Sequence, residues 1–321
     1  MTKNFLCIDF GASKLRIFDK KLGLVHNEPA LIAVEKKGKK YVVLETGQKA
    51  LYYKNLGLDN ILVFSPIHEG IIQSPEYSAT LLKHALGGLF NSSTLLNARS
   101  FISVPSGLNP KEKKAFIKSL ALAGLKNIKI LDCPVCTLLA QEEDFEDENV
   151  LVIDIGASKC DFQILKNFAP QKNATLGLGG NSIKKAITQT FWNDNSIYIT
   201  DQTAQELQEE FSSLFSSDKK TIEISGIYTI NGEQITKNVS SEEIAPIIKG
   251  FFAEVVLIAN TLIKEFNQDF SEKVTKVIFS GGLCHTKGLE KYLRLNLLCQ
   301  NILIDEDPEN AVLRGLTKLL D

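Results

Sequence analysis

Two short stretches of this chain pair a carboxylate with a glycine turn in the same way. Cys7-Ile8-Asp9-Phe10-Gly11-Ala12-Ser13-Lys14 and Val152-Ile153-Asp154-Ile155-Gly156-Ala157-Ser158-Lys159 share the tetrapeptide Gly-Ala-Ser-Lys behind an apolar run that ends in aspartate. Each copy reads as a strand, a tight turn and a return strand: Asn4 to Asp9 into Leu15 to Asp19, and Val150 to Asp154 into Asp161 to Leu165. Such a tip presents small residues and backbone N–H groups to an anion, and the preceding carboxylate can hold a hydrated Mg2+. A lone Asp-x-Gly-x-Ser would read as an ordinary turn, because its residues are turn formers. Two near-identical copies instead point to related halves that together clamp a polyphosphate, with Lys14 and Lys159 as point charges at the tips or else projecting into solvent.

The elements that position these tips follow from length and patterning. At 321 residues the chain exceeds the usual size of a single core, so two domains are expected. With 44% hydrophobic residues and a net charge of -2 it is globular, and no overall positive field argues for nucleic acid. No run of about twenty apolar residues is present, and the N-terminus reaches Asp9 too soon for a secretory signal, so a cytoplasmic protein is expected. Cys7, Cys133, Cys136, Cys160, Cys284 and Cys299 lie mostly in apolar segments, which suits reduced, buried thiols.

Strands and helices alternate along the chain, the pattern of an α/β fold. Strands are predicted at Leu31 to Glu35, Tyr41 to Glu45 and Arg99 to Val104, with Lys36 to Lys40 as a charged turn. Helices are predicted at Ser74 to Gly87, Pro110 to Ala123 and Pro134 to Glu142, and the acidic stretch Glu142 to Glu148 reads as the connection between halves. The second half is predicted to hold helices at Ser182 to Trp192, Thr203 to Phe215, Ser241 to Phe266 and Lys287 to Leu297. A small β element spans Lys220 to Lys237, and a strand at Lys276 to Ser280 runs into the turn Gly281-Gly282.

The order Asp9-x-Gly11, Asn27-Glu28-Pro29, Val104-Pro105-Ser106-Gly107, Asp154-x-Gly156, Gly179-Gly180 and Ser280-Gly281-Gly282 resembles the actin/Hsp70/sugar-kinase superfamily, and within it the bacterial actins of the MreB type. Gly23 to Val34, Val104 to Pro134 and Glu306 to Gly315 extend the resemblance over nearly the whole chain. It implies an actin-like (ribonuclease H-like) duplicated fold, two lobes with four subdomains around a nucleotide cleft. The first lobe would cover 1-148, with a small subdomain at about 33-75, and be completed by about 310-321; the second would cover 149-309, with a small subdomain at about 183-245. By matching position, Asp9, Gly11, Ala12, Ser13 and Lys14 form the first phosphate loop. Asp154, Gly156, Ala157, Ser158 and Lys159 form the second, Gly179 and Gly180 close its side of the cleft, and Gly281, Gly282 and Leu283 make the adenosine turn. Gln205 and Gln208 fall on the helix of ribose and adenine contacts, and Asp9 and Asp154 would hold Mg2+. The implied cofactor is ATP or ADP with Mg2+.

Departures from the family pattern bear on catalysis. Cys133-Pro134 stands where the family has Glu-Pro, and a thiol cannot orient the attacking water as a carboxylate does. Asp132 is adjacent and would substitute only if the local backbone shifted. Ala157 and Ser158 replace glycines, Asn181 replaces an aspartate, and Gln205-Glu206-Leu207-Gln208 replaces Glu-Arg-x-Lys. The chain is therefore expected to be at most a slow ATPase, with binding separated from turnover. Cys133-Pro134-Val135-Cys136 has thioredoxin-like spacing but opens a helix deep in a longer chain, and His26, His68, His84 and His285 have no metal-ligand spacing.

The resemblance also places an apolar loop, Leu86 to Asn91 with Leu95-Leu96, where MreB-like proteins touch the membrane, so Leu89 and Phe90 are the expected contact. The implied function is a filament-forming scaffold for cell shape or wall synthesis, peripheral at the inner face of the cell membrane. Its partners would be copies of itself and membrane morphogenesis proteins. An alternative is a monomeric adaptor like the PilM-like pilus proteins, which resemble it in a Gly-Ala-x second loop. A small-molecule kinase of the same superfamily ranks last, because no catalytic aspartate is evident.

Overall fold

The computed structural model describes residues 4–215 and 220–320. The predicted lobe boundaries at residues 1 and 321 and part of the predicted second small subdomain, 216–219, lie outside them. The chain divides into Met1–Asp144 with Glu309–Asp321, and Phe145–Pro308, the break falling inside the acidic stretch.

In the first unit the strands are β1 (Phe5–Phe10), β2 (Lys14–Asp19), β3 (Gly23–Pro29), β4 (Ile32–Lys37), β5 (Lys40–Thr46), β6 (Ile61–Phe64), β7 (Ile67–His68), β8 (Ile71–Ile72), β9 (Arg99–Val104) and β10 (Asn127–Asp132). Its helices are α1 (Gly47–Leu56), α2 (Pro75–Leu86), α3 (Ser92–Asn97), α4 (Pro110–Leu122) and α5 (Cys133–Ala140), joined by the returning C-terminal helix Ala311–Thr317. The main sheet runs β10-β9-β1-β2-β3, with β1 parallel to β9 and antiparallel to β2. A smaller sheet, β5-β4-β6, is inserted between β3 and β9.

The second unit repeats the plan. Its strands are β11 (Asn149–Ile155), β12 (Cys160–Lys166), β13 (Ala169–Leu176), β14 (Ile197–Tyr198), β15 (Thr221–Tyr228), β16 (Gln234–Ser240), β17 (Lys276–Ser280) and β18 (Ile302–Ile304). Its helices are α6 (Gly180–Asn195), α7 (Asp201–Phe211), α8 (Ser241–Phe270) and α9 (Leu289–Asn296); the C-terminal helix Ala311–Thr317 is then α10. The main sheet runs β13-β12-β11-β17-β18, and β14-β15-β16 is the inserted small sheet. Strand for strand, β18, β17, β11, β12 and β13 correspond to β10, β9, β1, β2 and β3 in order and direction. The duplication hinted at by one repeated tetrapeptide is thus a duplication of whole sheets.

Local sequence sets the element ends. Ser74 caps α2 ahead of Pro75 at its first position, and Asn109 and Glu112 form a reciprocal capping box at α4. Both main hairpin strands are buried on both faces, so they read as near-continuous apolar runs rather than alternating ones. Helix α8 is the one helix among the described residues long and apolar enough to cross a membrane by composition. Its apolar side, including Ile244, Ile248, Phe252, Val255, Ala259 and Phe266, belongs to the core of the second unit. In the first unit α10 lies so close to α5 that a Cβ on Gly315 would come within 1.7 Å of the Cys136 carbonyl oxygen.

The expected membrane loop is only partly open. Leu89 is 46% exposed, but the Phe90 ring packs against the core of the first unit and its N–H donates to the Leu86 carbonyl. Phe90 is therefore partly covered by its own unit. Leu95, read as part of the loop, is buried in α3, leaving Leu89 and Leu96 as the exposed apolar side chains of this segment.

Candidate functional site

The site is built twice, once in each unit. Asp9 is next to last in β1 and faces Ser103 on parallel β9; Asp154 is next to last in β11 and faces Ser280 on parallel β17. The Ser103 hydroxyl donates to Asp9 Oδ1 at 3.0 Å, and the Ser280 hydroxyl donates to Asp154 Oδ1 at 3.1 Å. Parallel pairing puts both serines on the aspartates' side of the sheet, and because they lie 94 and 126 residues away along the chain, only the folded sheet reveals them.

The turns that follow are also alike. Gly11 N–H donates to the Lys14 carbonyl and Gly156 N–H to the Lys159 carbonyl, both at 3.0 Å. The glycine amides therefore close the turns. The amides of Ala12, Ser13, Ala157 and Ser158 donate to no partner among the described residues, so these are the donors each tip offers to an anion.

In the second unit the tip is abutted by α6 and the turn after β17. A Cβ on Gly179 would lie 2.5 Å from the Gly156 oxygen and 2.8 Å from the Ala157 carbonyl, so only glycine fits. Gly180 N–H donates to the Gly156 carbonyl at 3.2 Å and Asn181 N–H to the Ala157 carbonyl at 2.7 Å, satisfying two first-turn donors of α6. Gly281 has φ +94° and a Cβ there would reach 2.1 Å from the Ile155 oxygen, so this turn needs glycine for both conformation and space. Gly282 and Leu283 follow in one 3-10 turn, Gly282–His285. Gln208 on α7 is 8% exposed, lies beside Gly180, and keeps a buried Oε1 with no hydrogen-bond partner. Gln205, one turn earlier, is exposed and donates to Glu209. A cradle closed by glycines and an orphaned acceptor beside it fit a nucleoside phosphate.

The two lysines are held differently. Lys159 is buried and donates to Asp161 at 2.8 Å, so it is not at the tip as a phosphate charge. Lys14 is half-exposed and pairs with Glu309 at 3.3 Å. Burial of an ammonium requires a carboxylate partner, which Asp161 supplies to Lys159.

Asp9 is also bound differently from the expectation. Its Oδ2 accepts a hydrogen bond from Arg16 Nη1 at 3.1 Å, and the pair is buried. With Oδ1 held by Ser103, both oxygens are engaged. Arg16 lies against the Asp9 oxygen that a hard cation would take at about 2.0–2.1 Å, so a directly coordinated Mg2+ does not fit Asp9 as it is held here. Arg16 was missed in sequence, although residue seven past Asp9 across so short a turn must face it.

Cys133 opens α5, and its side chain packs in an apolar cluster with Cys7, Cys136, Val312 and Leu316. Asp132 ends β10 and lies 3.9 Å from Lys113. No disulfide forms among the described cysteines, burial pushes the Cys7 thiol up to about 12, and burial raises Cys160 and Cys284 as well.

The model of the MreB/Mbl protein family matches residues 3–321. This chain belongs to the MreB/Mbl family. Cell shape-determining protein Mbl of Bacillus subtilis is 24% identical over 318 residues, covering 98% of this chain and 95% of the relative. Cell shape-determining protein MreB of Escherichia coli K12 is 23% identical over 330 residues, covering 100% and 94%. Among solved structures, MreB5 of Spiroplasma citri bound to AMPPNP superposes with a TM-score of 0.89 at 21% identity, covering 100% of this chain and 96% of that one. The MamK double helical filament superposes with a TM-score of 0.80 at 19% identity, with 99% of each chain covered. The MreB/Mbl member described here thus has the actin-like fold, carrying its duplicated hairpins on equivalent sheets.

Proposed function

We propose that this protein is a nucleotide-binding, filament-forming bacterial actin that serves as a scaffold for cell shape or wall synthesis and turns over ATP slowly or not at all. The observation that carries the reading is the duplicated Asp-Ser-hairpin constellation, Asp9 with Ser103 and Asp154 with Ser280, under tips whose remaining amides are unused. The solved relatives bound to AMPPNP and ADP, and the MamK filament, support nucleotide binding and self-association here.

In this reading the backbone N–H groups of Ala12, Ser13, Ala157 and Ser158 bind phosphate oxygens, Gly179 and Gly281 let α6 and the turn after β17 close directly on the second tip, and the Gln208 Oε1 accepts a hydrogen bond from the ligand. Asp154 is the carboxylate that would hold Mg2+, which would supply charge neutralisation at the phosphates. No residue takes the role of base: Cys133 is packed among apolar side chains, and its position is the one the family gives to glutamate. The protein acts in the cytoplasm at the inner membrane face, where Leu89 and Leu96 add apolar contact. Half-exposed leucines contribute roughly 1 kcal/mol each, so this segment assists attachment rather than securing it.

Right-angle light scattering without nucleotide, with ATP and with a non-hydrolysable analogue, followed by electron microscopy, tests the proposal. Filaments that require nucleotide and form equally with the analogue are expected. No assembly in any condition would replace this reading with the monomeric adaptor.

A further inference from the structure

The two hairpins share a backbone but not a charge pattern. Register places Arg16 opposite Asp9 and Asp161 opposite Asp154. The first hairpin therefore carries a fixed cation at the point where the second carries another carboxylate, itself bonded to Lys159.

Arg16 is well held. Its Nη1 bonds Asp9 at 3.1 Å, its Nη2 lies 3.6 Å from Glu309, and its side chain is 11% exposed. Glu309 is shared with Lys14, so two cations and two carboxylates alternate from the hairpin to the C-terminal segment of the same unit. A guanidinium cannot vacate its place by losing a proton, because it stays charged throughout the accessible pH range. A divalent ion at Asp9 would have to displace it or sit beside it against like-charge repulsion at short range.

Building on the nucleotide reading above, we propose that Arg16 is a resident cation that takes the place of a divalent metal at Asp9. Phosphate binding at the first hairpin is then independent of Mg2+, and any response of nucleotide affinity to Mg2+ arises at the Asp154 side.

Calorimetric titration of ATP into the full-length protein, in excess Mg2+ and in EDTA, tests this through the ratio of the two affinities. Asp9→Asn should leave that ratio within about threefold of wild type, because the carboxylate it removes is not a metal ligand. Arg16→Leu should raise the ratio about tenfold or more, because the freed carboxylate then needs a metal. A thermal melt establishes that the Arg16 variant is folded; if it is not, Asp9→Asn alone decides. A tenfold or greater fall of the ratio in Asp9→Asn, or an unchanged ratio in folded Arg16→Leu, overturns the inference and leaves the nucleotide reading intact. No ATP binding by wild type in either buffer overturns both.

Discussion

Replacing Gly179 with alanine tests the packing of α6 against the second hairpin. The new Cβ would meet the Gly156 oxygen at 2.5 Å, against ordinary contacts that begin at 3.4 Å, so backbone must move by about 0.9 Å. All three nearest atoms belong to backbone of the hairpin tip, and no side chain can swing aside. Overpacking of this kind costs about 1–3 kcal/mol. Separating the two segments also weakens the Gly180 and Asn181 hydrogen bonds to the tip, each contributing about 0.5–1.5 kcal/mol. The expected loss is about 4 kcal/mol, which for a unit of this size lowers Tm by about 8–16 °C. Trp192 is the only tryptophan of the chain and lies on α6, so its fluorescence reports this unit's melting directly. Gly177→Ala is the control, because a Cβ there meets nothing within 4 Å. A Gly179→Ala protein that melts within about 1 °C of wild type would refute the packing argument.

Other outcomes follow from the same geometry. Gly315→Ala places a Cβ 1.7 Å from the Cys136 oxygen, and should destabilise the first unit by about 3 kcal/mol or more, read as accelerated limited proteolysis of that unit. His26 has a buried Nε2 without a partner, and burial, aided by His84 and opposed by Glu28, holds its imidazole below the ordinary value. Its contribution to stability is complete above the unfolded value near 6.5 and is lost as pH falls through the folded one. Urea midpoints should therefore drop between about pH 7 and 5.5 in wild type and drop less in His26→Phe; parallel slopes would contradict this. Cys133→Glu alone should not restore full turnover, because the second tip carries Cβ atoms at Ala157 and Ser158; a phosphate-release rate matching an ordinary MreB-type ATPase would defeat that account.

Much of the fold was legible because the signals were local. The two hairpins announce themselves by apolar runs broken at glycine, and α2 and α4 by a capping residue followed by proline. What escaped were elements whose burial follows no clear period. β3, β10 and β13 are edge strands or their neighbours with mixed burial, and α1 buries only Gly47 and Ala50, so neither strand nor helix periodicity stands out. Of the site, the glycines and aspartates were readable as turn chemistry. The pairings that decide their behaviour were not read: Lys14 and Arg16 with Glu309 span nearly the whole chain, and only the folded first unit brings them together. Arg16 opposite Asp9 was within reach of register reasoning across a short hairpin, whereas Ser103 and Ser280 reach the aspartates from strands 94 and 126 residues away.

Nucleotide binding without appreciable turnover is the claim on which the functional reading stands. It is tested most directly by pelleting the polymer formed in ATP and identifying the nucleotide it retains by chromatography. Pelleted protein that carries mostly ATP long after assembly is the predicted result. A pellet that carries mostly ADP, or polymer with no nucleotide at all, would contradict it.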